Sequence, residues 1–516
     1  MKSYVIRRRF NPSLTTGSES VKIFLPKGFG TPKFAIAYFV NGGVGESLDE
    51  TNLDRVLGIG FIGLGTTNNS LLAWNSSIGM THNSPVSTTF RKSLSGFGVN
   101  GRFAYEGKID RTSAIRQCTS PSFLEDRFDF TLSNSSTSTS YLDLIITFFS
   151  GDDIDARVGY LALGTTNGAT ATVTGMAFAP DVILTVGSGF GLNVSDSDGR
   201  FCFGCALNGP TIKNSASLFR MRSNLNTFAG ISTTVHQYFS TDKCFLMYGS
   251  AAAINALQVA DVTAFTSDGF TVTSRSTFAP NSTNIMSYIA LKSTKADSFD
   301  LQNFTSSTST GIVGTATSNF TPSLLLGVLG SATATGTTIT SNDSTGFSLF
   351  AAKSLTSKSI YGYGTLSVSS GSTEVSGTGS TFKNLCPGDK LYNTSNAVIG
   401  TVSYVSSDTS LFLTSNASST ISSQPYSILP KLAFCATIGS SNLSDPTKIF
   451  SGVLTSPIYS SIYGTSSSAS KIIDGVVNNF DSYPGFKINY STADATGRKG
   501  WFLAIRDTEL RRRDSN

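Results

Sequence analysis

Few residues in this sequence have the types and spacing that chemistry demands. Cys202 and Cys205 make the only Cys-x-x-Cys pair, and with Cys244 and His236 they offer four ligands of the kind that hold zinc. A structural zinc normally draws on paired ligand spacings, whereas Phe201-Cys202-Phe203 reads as a buried strand with cysteine as a small apolar side chain. A disulfide in this pair requires oxidation after release, and Cys118, Cys386 and Cys435 belong to no motif. Two acidic loops, Asp152-Asp153-Ile154-Asp155 and Asp196-Ser197-Asp198-Gly199, carry oxygens of the sort calcium prefers. The second lacks the downstream Glu of a calcium loop, and Asp and Gly are also ordinary turn formers. Glu106, Asp110, Glu125 and Asp126 form the nearest acidic cluster, yet no two of them share a predicted face as glycoside cleavage requires. Neither His82 nor His236, the two histidines, stands beside a nucleophile elbow, which argues against a Ser-His-Asp hydrolase. We therefore assign no catalytic, cofactor-binding or metal-binding residue and expect a protein that is not an enzyme.

The elements that would position any site are β-strands. Of the 516 residues only 14% are charged, 39% are hydrophobic, 49 are Gly and 37 are Phe. Aromatic content of 11% and a net charge of +5 argue against disorder, because enough apolar surface exists to offset chain entropy. Apolar residues alternate with Ser, Thr or Asn, as in Leu366-Ser367-Val368-Ser369, the period of half-buried strands. Ser250 to Val259 is the best short helical candidate. The basic clusters Arg7-Arg8-Arg9 and Arg511-Arg512-Arg513 are read as solubilising mobile ends, with contact to an acidic neighbour as the alternative; nucleic-acid binding is not indicated. Asn-x-Ser/Thr sequences, such as those at Asn75, Asn134, Asn303 and Asn442, arise by chance in so polar a chain. The N-terminus lacks the apolar core of a signal peptide, and no apolar run reaches the ~18 residues of a spanning helix. Reduced cysteines, cytoplasmic synthesis and no membrane insertion are expected.

Two strand patterns recur. A leading strand, Phe178-Ala-Pro180-Asp-Val-Ile-Leu-Thr-Val186, returns as Phe320-Thr-Pro322-Ser-Leu-Leu-Leu-Gly-Val328 and more loosely from Phe29 through Pro32 to Ala37. A closing strand is read at Gly159 to Leu163, Ser287 to Leu291 and Gly500 to Ile505. The last interval between closing strands is much the longer, which implies an insertion. These patterns predict an all-β chain of three tandem, jelly-roll-like β-sandwich repeats: 20–164, 165–294 and 295–508, the third interrupted by a small β-domain at 363–430. An N-terminal arm at 1–19 and a basic tail at 509–516 complete the division.

The inserted segment carries a further signal. Its pattern, Gly364-Thr-Leu-Ser-Val-Ser-Ser-Gly-Ser-Thr-Glu-Val-Ser-Gly-Thr-Gly-Ser-Thr-Phe382 followed by Pro387-Gly-Asp389 and Ser407-Asp-Thr-Ser-Leu411, resembles a small β-module of tailed-bacteriophage virion proteins, especially tail fibres and other appendages. The strand Asp268-Gly-Phe-Thr-Val272 with Tyr288-Ile-Ala-Leu291 downstream also resembles a repeated β-domain of phage structural proteins. The resemblance implies a virion structural protein, a tail fibre or appendage that contacts the host surface, with a capsid decoration or head-fibre protein as the alternative and a polysaccharide-degrading appendage enzyme third. It implies other virion proteins, tail or capsid, as partners, host-surface glycan or protein as a further one, and a homo-oligomer. No heptad or shaft repeat accompanies it.

Overall fold

The computed structural model describes residues 1–11, 15–26, 28–42, 55–66, 70–83, 88–94, 102–107, 114–135, 141–187, 195–196, 199–223, 233–248, 257–276, 285–316, 318–336, 338–341, 346–353, 360–385, 388–429, 432–440, 449–454, 458–463, 469–479 and 486–506. Among them the fold is all-β, as the alternation predicts, with one 3-10 turn at Phe382–Asn384 and no α-helix. The helical candidate lies outside the described residues except at Leu257 to Val259, which open a strand.

The first ten strands are β1 (Lys2–Phe10), β2 (Gly17–Phe24), β3 (Phe34–Gly42), β4 (Arg55–Leu64), β5 (Leu71–Asn83), β6 (Thr88–Leu94), β7 (Ala104–Gly107), β8 (Ala114–Leu124), β9 (Arg127–Asn134) and β10 (Tyr141–Ser150). They form a large antiparallel sheet, β1-β10-β3-β4-β5-β6, and a small one, β2-β9-β8-β7.

The next strands are β11 (Ile154–Ala162), β12 (Thr170–Val173), β13 (Val182–Gly187), β14 (Ser195–Asp196), β15 (Gly199–Leu207), β16 (Lys213–Ser223), β17 (Thr233–Ser240), β18 (Phe245–Tyr248), β19 (Leu257–Thr266), β20 (Gly269–Ser274) and β21 (Ile285–Ser293). Here the orders are β11-β21-β13-β15-β16-β17 and β12-β20-β19-β18.

A third set follows: β22 (Phe299–Thr305), β23 (Gly311–Ala316), β24 (Leu324–Leu329), β25 (Thr338–Ser341) and β26 (Gly346–Lys353). An inserted module then supplies β27 (Ile360–Tyr361), β28 (Thr365–Val368), β29 (Glu374–Thr378), β30 (Lys390–Tyr392), β31 (Val398–Ser407), β32 (Ser410–Leu413), β33 (Ile421–Gln424) and β34 (Ser427–Leu429). The third set resumes with β35 (Ala433–Ser440), β36 (Ile449–Leu454), β37 (Ile458–Tyr463), β38 (Ala469–Asn479), β39 (Phe486–Thr492) and β40 (Lys499–Ile505). Its orders are β22-β40-β24-β26-β35-β36 and β23-β39-β38-β37, so one topology is written three times.

Two expectations about the boundaries need correction. Residues 1–19, expected as an arm, contain β1, which pairs along its whole length with β10 and buries Val5, Ile6 and Phe10. Gly159 to Leu163, read as the first closing strand, belongs to β11, the edge strand of the second large sheet; β10 occupies the closing place in the first. The confusion has a physical origin. β11 lies beside the closing strand β21, with Gly159 opposite Tyr288, so both present similar short apolar runs to one environment. The tail at 509–516 lies outside the described residues.

In each set the small sheet covers one face of the large sheet. Phe128 of β9 meets Phe148 of β10 at 5.2 Å between ring centroids, Phe270 of β20 meets Tyr288 of β21 at 5.1 Å, and Phe486 of β39 meets Phe502 of β40 at 5.0 Å. The large sheets turn their other faces toward one another. Phe203 lies 6.2 Å from Tyr38 and 4.8 Å from Trp501, Phe347 packs on Phe201 and Phe219, and β3 packs on β35 and β36. Covered on both faces, strands such as β13, β24 and β26 are buried at every position and need no polar alternation. Two glycines permit close layering. A Cβ at Gly60 or Gly204 would overlap the backbone carbonyl of Phe103 or Cys244, the residues just before β7 and β18.

The sets are also laced together at their edges. β14 extends the first large sheet by pairing with β6, and β25 extends the second by pairing with β17. The corresponding segment of the first set, 43–54, lies outside the described residues.

Candidate functional site

The module grows from the tip of the β26–β35 hairpin, where Ala352 and Ala433 pair and hold its two ends together. It has a core of its own, built from Leu366, Val375, Phe382, Leu391, Val402, Leu411 and Tyr426. Though inserted in the third set, it leans on the first. Arg8 donates to the Lys383 carbonyl, and the Phe24 and Tyr363 rings lie 5.2 Å apart. Nearby, Lys353 Nζ donates to Ser3 Oγ at 2.8 Å and anchors the hairpin to β1.

Between module and first set lies a cavity of about 840 Å³. Arg7 to Asn11, Thr15 to Glu19, Arg116, Leu132, Asn134 and Tyr141 line it from the first set; Lys383, Leu385 and Ser403 to Ser406 line it from the module. The three consecutive arginines are β1 residues, so they alternate between the two faces of an edge strand. Arg7 and Arg9 share Asp143, which β10 places directly opposite Arg9. Arg7 Nε reaches Asp143 Oδ1 at 2.9 Å and Arg9 Nη2 reaches Oδ2 at 2.7 Å. Burial by itself would push the Asp143 carboxyl up, but the charges and hydrogen bonds of Arg7 and Arg9 outweigh it and hold the group below its ordinary value. Arg116 is fully buried and donates to the Asn11 carbonyl at 3.0 Å. Aromatic rings back the cations: Arg9 lies 4.9 Å from the Tyr141 ring centroid and Arg8 5.3 Å from that of Phe10. On the module side, Tyr404 stacks on Phe412 at 4.6 Å and 11° and remains 51% exposed.

The residues singled out by sequence go elsewhere. On β15, Cys202 faces the small sheet and Cys205 faces the centre, so the Cys-x-x-Cys pair points to opposite sides of one sheet. Cys202 Sγ accepts the Leu246 amide at 3.2 Å, and burial pushes its thiol well up and that of Cys244 up to about 12. His236 sits on β17 opposite Arg220, and His82 on β5 opposite Thr89. Asp153 pairs with the Met1 amine and Asp155 with Lys33 at 3.3 Å, so that acidic loop disperses its carboxylates. Asp198 and Asp110 lie outside the described residues, and Glu125 is exposed. Asp126 is a structural clamp: it accepts the Gly28 and Gly30 amides at 2.7 and 2.6 Å. Asp268 does the same in the second set, accepting the Gly175 and Ala177 amides at 2.9 and 2.7 Å. Among the described residues no group of three or more His, Cys, Asp or Glu side chains is placed to hold a metal ion.

The arginine run at Arg7 to Arg9, read from the sequence as a solubilising mobile end, is instead part of β1, paired with β10, with Arg7 and Arg8 buried. The available signal was its setting, since Tyr4-Val5-Ile6 before it and Phe10 after it make a strand rather than a loose end. No protein-family model matches the sequence, and no curated protein matches it either.

Proposed function

We propose that this protein is a non-enzymatic structural component of a tailed-phage virion, carried on a tail fibre or similar appendage, where it contacts the host surface. The observation that carries the reading is a body of three large sheets packed around a shared centre, bearing one outlying β-module with its own core. The pattern of Gly364 to Phe382, which resembles modules of phage appendages, falls within that module. A shared centre provides stiffness, and a module at a hairpin tip presents a separate surface without disturbing it. Several copies on one particle would multiply weak contacts through avidity. Immunogold labelling of intact virions with antibody to this chain tests the proposal. Label confined to the tail or its fibres is expected; label spread over the head would replace the appendage with shell decoration, and label on neither would overturn the virion reading.

A further inference from the structure

We infer that the rim of the inserted module around Tyr404, where it borders the cleft to the first set, binds an uncharged carbohydrate, a short run of neutral pyranose units. Tyr404 is turned toward solvent by a fault in its strand. In β31 the register slips by one residue between Val402 and Tyr404, so Val402 and Val405 both face the module's core while Tyr404 stands outside with Phe412 of β32. Unbroken alternation from Val402 would have sent position 404 inward; a bulge that re-aims one side chain is a device of binding sites. Phe412 lies parallel to the Tyr404 ring at 4.6 Å and 11°, which fixes its orientation, yet Tyr404 stays 51% exposed. A large ring held flat and open is a platform for the C–H face of a pyranose.

The surroundings of the ring select a neutral ligand. Ser403 and Ser406 flank it, and Thr16 and Ser18 border the cleft from the first set, hydroxyls that both donate and accept as a sugar's own do. The charged groups of the cleft are engaged within the protein. Arg7 and Arg9 share Asp143, Arg116 stands opposite Glu106 in the β7–β8 register and donates to the Asn11 carbonyl, Arg8 donates to the Lys383 carbonyl, and Lys383 Nζ lies 4.0 Å from Asp408. An anion would compete with those partners, whereas an uncharged ligand has no need of them. A peptide fits less well, because the leucines on the walls, Leu132 and Leu385, are themselves buried and offer its apolar side chains little surface. The cleft's volume of about 840 Å³ lies within the range of small-molecule sites.

This ligand class deepens the surface-contact reading and rests on it for its setting, but its test uses the isolated full-length protein and is independent of where antibody labels the virion. Binding is measured by saturation-transfer NMR and calorimetry with maltohexaose, cellohexaose and N-acetylchitotetraose as neutral probes, trigalacturonate as an anionic one, and a capped Ala-Phe-Ala peptide. At least one neutral oligosaccharide should bind at millimolar concentration, with the same affinity at low and high salt. Tyr404→Ala, at an exposed position, should keep the fold, as circular dichroism will verify, and weaken binding by about tenfold. Tyr404→Phe keeps the ring and should bind within about twofold of the parent. Thr16→Trp narrows the cleft from the exposed rim of the first set and should weaken binding by a route that leaves Tyr404 in place. Tyr160→Ala, at a half-exposed tyrosine of β11 outside the cleft, should change nothing. Absence of binding by all three neutral sugars, tighter binding of trigalacturonate or of the peptide, indifference to Tyr404→Ala and Thr16→Trp, or an equal loss with Tyr160→Ala overturns the inference.

Discussion

The three large sheets and the inserted module are built from the same residue types, yet they bury them differently. In β24 and β26 every residue is buried, because each large sheet is sandwiched between its small sheet and its two sister sheets. In the module, β28 and β32 alternate between buried and half-buried positions, because one apolar layer serves the whole domain. The difference teaches where stability and adaptability reside. The centre is shared, so a defect there is felt by all three sets; the module's core is private, and its outer face is free to vary.

The largest expected effect comes from the shared centre. Phe203→Ala removes the ring that touches both Tyr38 and Trp501, and it should destabilise the whole three-sheet body by about 3–5 kcal/mol in denaturant unfolding. The module's own transition should stay in place. An effect confined to the second set would break the comparison.

Next comes the ion cluster under the cleft. Asp143→Asn leaves Arg7 and Arg9 without their buried carboxylate and should lower stability by about 3 kcal/mol. The wild-type pH dependence has a definite sign. The folded-state pKa of Asp143 lies below its unfolded value, so its contribution is complete above the ordinary carboxylate range and disappears as pH falls through the folded value. Stability of the Asn variant should therefore fall less between neutral and acidic pH than that of the parent. Parallel pH profiles would contradict the pairing.

A core substitution in the module should be comparable locally and silent elsewhere. Leu411→Ala should lower the module's transition by about 2–3 kcal/mol and leave the three-sheet transition where it was. Smallest of all should be removal of 360–430 with a short Gly-Ser bridge between β26 and β35, whose ends already pair. The remaining body should melt within a few degrees of the parent, because the deleted core contributes nothing to the centre; a large loss would mean that the module is part of it.

The sequence made much of this legible, for reasons visible in single segments. Alternation such as Leu366-Ser367-Val368-Ser369 announced strands, and the prolines at 32, 180 and 322 marked the approach to β3, β13 and β24. The fully buried strands read as short apolar runs, but a run does not say what covers each face, so the packing of three large sheets on one another was hidden. That same ambiguity made β11 look like a closing strand. The cleft was hidden for another reason. Arg7-Arg8-Arg9 has the composition of a solvated end, and only pairing with β10 and the approach of a module from more than 350 residues away turn it into a lining. Tyr404 carried no signal at all, because stacking on Phe412 depends on the β31–β32 hairpin.

The central claim is that one core is shared by three sheets and withheld from the module. Native-state hydrogen exchange measures it directly, since amides that open only on global unfolding report a common free energy. The slowest amides of β3, β13, β15, β24 and β40 should exchange with the same free energy and the same denaturant dependence, and those of β28, β31 and β32 with a lower one of their own. Three separate free energies for the three large sheets would show independent sandwiches in a row and contradict the shared centre.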